Sequence, residues 1–433
     1  MPAVGPNTGP AGVLRSPQGG GVSGFAGPVG PPRPAFKVTQ VVSKFQSGHG
    51  WGQSGANGTL ADDTGEYLFG TQSLKLTSDG AGAGYCSARK TGISPTFDLD
   101  QNNLRVWLRV TNGSAISQLL VYVSSTNFGS SVNASGDIKP VGTYCHLRDG
   151  EWACLVIGKE QLASYGAGGA PVWSAINSMQ ISVLDNSTAQ AIVHVGSIEV
   201  VPRPDTSYVS FCFDDGFAEV YTKARPLMDA YGYTGTVFII ADIIDSSGFM
   251  TMAQLKKLET AGWEVAAHSA TLAQHNQTRG LMDCDTAGFR ANLLTQRQWL
   301  WGNGFRGTGI AYPRGAHDAT MREEVRKVYS YARSVLASGG PESFPPADPY
   351  QLRAHEIYQA TSTATVDTWV QTAVNGNRWA ILEFHGIKDT PDVGNDYQFS
   401  TAKFTTVCAN VAALSGVTVL PIGDVMAEWV RAR

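Results

Sequence analysis

Two folds in series are predicted, a β-sandwich of jelly-roll type followed by an α/β barrel, and three observations predict them. From about Phe36 to Pro204 the chain runs in short alternating apolar and polar stretches separated by Asn/Gly/Ser/Asp clusters, with no convincing helical period. From Asp205 to Arg433 strands rich in β-branched and aromatic residues alternate with helical patterns, as in a parallel sheet closed into a distorted (β/α)7-8 barrel. Ahead of both, the first 36 residues hold nine Gly and eight Pro, too little apolar surface to fold alone. The expected organisation is therefore a linker or collar at 1–35, a sandwich at 36–204 and a barrel at 205–433.

Each element follows in order. Gly21, Gly24, Gly27 and Gly30 repeat every third residue among prolines, the collagen period, although four triplets are too few to hold a triple helix alone. Two readings stand for this segment, a collar associated with a homotrimer and an extended linker. The sandwich strands are Ser73 to Thr77, Leu104 to Val110, Leu119 to Val123, Trp152 to Ile157, Met179 to Leu184 and Ile192 to Val200. This layout resembles carbohydrate-binding modules in pattern alone. Trp51, Tyr67, Tyr85 and Trp173 lie in loop-like sequence, where stacking on sugars competes with partly buried packing.

After a linker at Val201-Pro202-Arg203-Pro204, the barrel strands begin with Tyr208 to Phe213, Thr236 to Ile240, Glu264 to Ala267 and Gly309 to Ala311. Ala332 to Val335, Leu352 to Ile357, Trp379 to Phe384 and Val417 to Leu420 complete them. Helices are expected from the first strand through Tyr231, over Met252 to Ala261, around Phe289 to Trp301 and over Gly423 to Ala432.

Composition narrows the function. With 433 residues the chain exceeds one ordinary core, and 42% hydrophobic against 16% charged residues exclude a largely disordered protein. The net charge of −4 and the lack of any Lys/Arg-rich run argue against a nucleic-acid partner. Val237 to Ile244, the most apolar stretch, is interrupted by Asp242 and is far short of a membrane span. The N-terminus has neither the basic start nor the apolar stretch of a secretory signal. Six cysteines form no CxxC pair; Cys145 and Cys154 flank a turn-like Arg148-Asp149-Gly150 and read equally as a hairpin disulfide or as two buried thiols.

Four strands end in polar residues. Ser210-Phe211-Cys212-Phe213 runs into Asp214-Asp215-Gly216, where adjacent carboxylates point to different sides, so that one can hold a metal while the other faces a water; an ordinary Asp-Asp-Gly turn is the competing reading. Glu264 to Ala267 delivers His268-Ser269, Ile310-Ala311 leads into Tyr312-Pro313-Arg314-Gly315, and Ala380 to Phe384 delivers His385-Gly386. Each is weak alone, but all four sit at C-terminal strand ends, where barrel sites are built.

This ordered set, Phe-Asp-Asp-Gly, His-Ser, Tyr-Pro-x-Gly and Leu-x-Phe-His-Gly, resembles the polysaccharide deacetylases, the NodB-homology domain of carbohydrate esterase family 4, over Thr206 to Arg433. The resemblance implies a divalent metal, usually zinc, and hydrolysis of N-acetyl, sometimes O-acetyl, groups on glycans such as peptidoglycan, chitin-like or capsular polymers. It implies Asp215 and His268 as metal ligands, Asp214 as general base and His385 as general acid. It further implies an oxyanion contact to a backbone N–H in the turn of Tyr312, Pro313, Arg314 and Gly315, with Arg314 in the family's usual tyrosine position.

Two departures stand out. Ala311 occupies the place of an arginine that orients the base, and Arg353 is expected to supply that charge, against an ordinary surface arginine. Leu272 occupies the place of the second ligand histidine, four residues after His268. The next histidine, His275, is the expected third ligand, reached through a bulged loop, with a water or Ser269 as its rival. His317 and His355, near motif ends, are outside candidates for substrate contact. Glycan chemistry without a secretory signal suggests a bacteriophage tail component in the virion, or an extracellular enzyme whose signal is missing from this chain. The competing function is an inactive, saccharide-binding tail protein with a degenerate deacetylase domain.

Overall fold

The computed structural model describes residues 38–129, 133–138, 149–165, 168–335, 340–346 and 348–431. The collagen-like triplets, Cys145 with its pairing to Cys154, and His146 lie outside them. The chain divides into two units, one of 205–337 with 349–433 and one of 28–204 with 338–348.

The N-terminal unit contains two six-stranded antiparallel sheets. In the first, Gly58–Asp63, Ser73–Ser78, Ile192–Pro202, Asn102–Thr111 and Trp152–Ile157 lie side by side, and Gln40–Ser43 also pairs with Ile192–Pro202. The second orders Ala163–Tyr165, Asn133–Asp137, Ile116–Ser124, Ser178–Asp185, Cys86–Lys90 and Gly52–Gln53. Alternation sends Leu74, Leu104 and Val106 from one sheet and Leu119, Val121 and Ile181 from the other into a single apolar core. Trp51 belongs to that core: it is 6% exposed and its ring lies 5.4 Å from that of Phe45, so packing claims it rather than a sugar.

In the C-terminal unit eight parallel strands run β1 (Ser207–Phe213), β2 (Thr236–Ile240), β3 (Glu264–Ser269), β4 (Gly309–Ala311), β5 (Tyr331–Val335), β6 (Leu352–Glu356), β7 (Trp379–Phe384) and β8 (Val417–Val419). The order β2-β3-β4-β5-β6-β7-β1 closes into a ring because Cys212 and Phe213 at the C-terminal end of β1 pair with Thr236 and Val237 of β2. The N-terminal end of the same edge, Ser207 to Val209, pairs with β8 instead. The barrel is thus complete at the end where site residues sit and splayed open at the other, where β8 is inserted.

Strand alternation sorts the barrel residues into two sets. Val209, Phe211, Phe213, Val237 and Ile239 join the core with the helices, and the Phe211, Phe213 and Phe404 rings all lie about 5–6 Å from Phe384. The opposite parity includes polar groups. Near the β8 end, Tyr331 donates to Glu264 at 2.9 Å and the Gly423 N–H donates to the same carboxylate at 2.8 Å, which satisfies a buried acid with neutral donors. The helix expected after β1 is present as a continuous helical run over 218–229, whose middle, Val220–Ala224, is π-helical and leads into Arg225–Asp229, with Pro226 in the first turn of that last piece.

Candidate active site

The C-terminal strand ends surround a cleft of about 510 Å³ lined by Asp214, Asp215, His268, His275, Arg333, Glu383 and His385, with Tyr312, Arg314 and Gly315 on one side. Asp214 continues β1, its N–H donating to the Phe384 carbonyl at 2.9 Å. The chain then turns sharply through Asp215 (φ 69°) and Gly216 (φ 84°). Aspartate tolerates the left-handed region better than most side chains. The result is two neighbouring carboxylates with different partners.

Asp215 faces the histidines. His275 Nε2 lies 3.2 Å and His268 Nε2 3.6 Å from Asp215 Oδ1. His268 Nδ1 contacts the Ala311 carbonyl at 2.9 Å, and because a carbonyl only accepts, that nitrogen carries the proton and Nε2 is left with its lone pair. Burial, reinforced by His275, holds the His268 imidazole down to about 4, which keeps it neutral. His275 Nδ1 is 2.9 Å from Asn276 Oδ1, which leaves its Nε2 as an acceptor too, 3.2 Å from His268 Nε2. Against the effect of burial, the Asp215 carboxylate lifts the His275 imidazole above its ordinary value.

This donor set fits a divalent cation. Asp215, His268 and His275 each bring one ligand atom within 4.8 Å of the others. Two imidazole lone pairs facing one another beside a carboxylate repel unless a positive charge lies among them, and two nitrogens with one carboxylate oxygen match zinc-type ligation. The segment carrying His275 is a single helical turn, Leu272–His275, rather than the expected bulged loop, started by Thr271 whose hydroxyl accepts from the Gln274 N–H. That turn brings an imidazole back to His268 seven residues on.

Asp214 has another role. Its Oδ2 is held by Arg333 Nη2, and Arg333 Nη1 reaches Glu383 Oε2 at 2.5 Å, while Asp214 Oδ1 is buried with no hydrogen-bond partner among the described residues. The expectation for Arg353 is corrected here. Arg353 and Glu356 are three apart on β6, so alternation puts them on opposite faces, and Glu356 lines the cleft while Arg353 does not. The arginine that meets Asp214 is Arg333 of β5, 1% exposed.

Arg333 and Glu383 were not foreseen as site residues. Burial pushes the Glu383 carboxyl up, Arg333 pulling it the other way and Asp214 adding to the rise. Arg333 stays protonated despite its burial because Asp214 and Glu383 flank it. A charged residue inside each of the apolar runs Tyr331–Val335 and Trp379–Phe384 was the available signal. Replacing Arg333 with Lys keeps a charge but cannot bridge both acids as a planar fork does. We expect Arg333→Lys to lower kcat about tenfold or more, and Arg333→Met to lose in addition about 3–5 kcal/mol of stability in denaturant titration, as for a broken buried ion pair.

His385 follows β7, its Nε2 3.9 Å from Glu383 Oε1 and its ring 4.7 Å from that of Tyr397. One ligand atom each of Asp214, Glu383 and His385 fall within 4.8 Å of one another. In the turn after β4, Arg314 takes φ 59° and Gly315 φ 64°. A Cβ on Gly315 would meet Val335 Cγ2 at 2.2 Å, so glycine is required there. The Gly315 N–H donates to the Tyr312 carbonyl at 2.9 Å and that of Ala316 to Pro313 at 3.3 Å, and Pro313 has no N–H.

The two outlying histidines stay out of the cleft. His317 stacks on Tyr312 at 4.6 Å, with Nδ1 2.9 Å from the Gly315 carbonyl, and so braces the turn. His355 stacks on Trp369 at 4.4 Å. Burial, with Arg353 and Arg378 nearby, depresses it from the usual 6.5 to about 4. As pH falls below the usual value, the unfolded chain takes up a proton that folded His355 refuses, so stability drops from there down to the folded value. His355→Leu is expected to flatten the stability–pH slope across that interval, by a total of about 3 kcal/mol, measured as urea midpoints at a series of pH values.

A buried acid–base pair beside a two-histidine, one-aspartate cluster at the closed, C-terminal end of a parallel barrel is an arrangement suited to metal-assisted hydrolysis. The polysaccharide deacetylase family model matches residues 202–331, nearly all of them in the C-terminal unit. The match spans Asp214, Asp215, His268, His275 and the Tyr312 turn, and stops before Arg333, Glu383 and His385. The chain is similar to the "Putative polysaccharide deacetylase YxkH" of Bacillus subtilis (strain 168), 26% identical over 143 residues, 33% of this chain and 48% of that protein. It therefore spans about half the length of this curated relative. Among solved structures, peptidoglycan deacetylase PdaC from Bacillus subtilis is 13% identical with a TM-score of 0.36, covering 53% of this chain and 93% of that one. A family 4 acetyl xylan esterase from Clostridium thermocellum, in complex with a cobalt ion, is 15% identical with a TM-score of 0.35, covering 51% and 91%.

Proposed function

We propose that this protein hydrolyses acetyl groups, N-acetyl foremost, from a cell-wall or surface polysaccharide in a metal-dependent reaction, with zinc as the metal. The observation that carries this reading is the pairing of Asp214 and Asp215: one carboxylate faces two imidazole lone pairs while the other, held by Arg333, keeps a buried oxygen with no partner among the described residues. Asp215, His268 and His275 would hold the cation. When bound, it supplies Lewis acidity toward an acetyl carbonyl and toward water.

The chain's own residues do the rest. Asp214 Oδ1 accepts the proton of the attacking water, its other oxygen being fixed on Arg333 so that the free one faces the cleft chemistry. Water oxygen bonds to the carbonyl carbon, the carbon–nitrogen bond breaks, and His385 gives its proton to the departing amine, leaving acetate and a free amino sugar. Glu383 lies 3.9 Å from the donating ring of His385. The Arg314 N–H, which the turn itself does not use, donates to the carbonyl oxygen as negative charge grows on it. A phage-tail setting, with the Gly/Pro triplets as a trimer collar and the N-terminal sheets as a carbohydrate-binding module, is part of the same reading and is supported by the order of segments in the sequence.

Acetate release from peptidoglycan, chitin oligomers and acetylxylan, alongside atomic spectroscopy for metal, tests the reading. Acetate from at least one N-acetylated glycan, abolished by chelation and restored by zinc, is the expected result. Bound metal with no release from any of them overturns it in favour of an inactive saccharide-binding domain.

A further inference from the structure

A groove of about 430 Å³ opens on the barrel rim beside the cleft, between the end of β6 and the start of the helix Thr363–Asn375. Glu356 and Tyr358 line both spaces, so these two residues form the partition between them. The volume is in the range of small-ligand sites. The rest of its lining has a particular chemistry: the stacked rings of His355 and Trp369, and the hydroxyls of Thr361, Ser362 and Thr365. His355 is 8% exposed and its Nε2 has no hydrogen-bond partner among the described residues. A buried polar atom left in that state costs on the order of 1–3 kcal/mol, which a ligand hydroxyl would offset.

We propose that this groove is a second saccharide subsite, which holds a neutral pyranose unit next to the one whose acetyl group lies in the cleft, so that the chain works on polymers rather than single sugars. Aromatic rings with hydroxyls and a carboxylate suit a ring that is apolar on its faces and hydroxylated at its edge. No lysine or arginine lines the groove among the described residues, and Glu356 is acidic, so a uronate or phosphorylated sugar is disfavoured by charge. A connecting wall shared by two pockets is what a continuous chain needs to pass from one to the other. This inference rests on the proposed deacetylase function for its chemistry, but its binding test does not.

The test fills the groove. Ala360 and Thr365 are exposed on its lining and take no part in the machinery of the cleft. Thr365→Trp and Ala360→Trp, each checked for an unchanged thermal midpoint, would be titrated in the intact chain with the tetramers of N-acetylglucosamine, xylose and galacturonate by calorimetry. At least one neutral tetramer is expected to bind wild type at least about tenfold more tightly than either variant, with galacturonate weaker than both neutral tetramers. In turnover, kcat/KM is expected to rise with N-acetylglucosamine chain length in wild type and stay flat in the variants, while hydrolysis of a small aryl acetate is unchanged. Equal affinity of wild type and both variants for every tetramer, or tightest binding of galacturonate, overturns the subsite. Absence of acetate release together with the expected binding difference would sink the deacetylase reading and leave the subsite standing.

Discussion

Asp214→Asn is expected to remove turnover by about 10²–10⁴-fold while metal remains bound. The substitution is nearly isosteric, so the link to Arg333 Nη2 survives as a neutral hydrogen bond through the amide oxygen, and the fold around β1 is undisturbed. What disappears is the negative charge and basicity at Oδ1, the buried oxygen without a partner. The groups proposed to hold the cation, Asp215, His268 and His275, are separate side chains, so metal content measured by atomic spectroscopy should equal that of wild type. More than about a tenth of the activity surviving, at full metal occupancy, would transfer the base to another group; Glu383 would be the first to test, since it shares Arg333.

His275→Ala carries the second large effect, on metal rather than on chemistry. His268 and Asp215 alone give two ligands, below the three that catalytic zinc sites use. In the folded protein His275 is placed by Thr271, which starts its helical turn, and by Asn276 at Nδ1, so its imidazole is pre-oriented at Nε2. Loss of such a ligand should weaken zinc by well over tenfold in competition with a chelator, more than the ~10–100-fold typical of an outer partner. His275→Gln, able to offer one oxygen, should fall between. Zinc affinity equal to wild type in the alanine variant would show that the site closes through another group, with Ser269 and water the rivals.

How far the sequence reached is clearest at individual strands. Trp379–Phe384 and Thr236–Ile240 coincide with their expected limits because they are fully buried, apolar and bounded by turn residues, a signal that is local. Asp214, Asp215, His268 and His385 were identifiable for a related reason: each breaks an apolar run at its C-terminal end. The tertiary structure alone brings them to one cleft.

Arg333 and Arg353 mark the boundary of that legibility. Both are arginines in barrel strands, and nothing in the composition of Tyr331–Val335 or Leu352–Glu356 says which one meets Asp214. The choice depends on which parity of each strand faces inward, and a shift of one residue reverses it. Closure of the ring through Cys212 and Phe213 against β2 settles that parity for every strand at once, which puts Arg333 beside Asp214 and turns Arg353 to the other face. His275 is the complementary case. The sequence by itself determined that it was the next available imidazole, while the helical turn that returns it to His268 depends on Asp242, whose carboxylate accepts from the Leu272 N–H at 2.8 Å. That contact spans 30 residues, and a hydrogen bond between distant segments has no local period or composition by which a sequence could announce it.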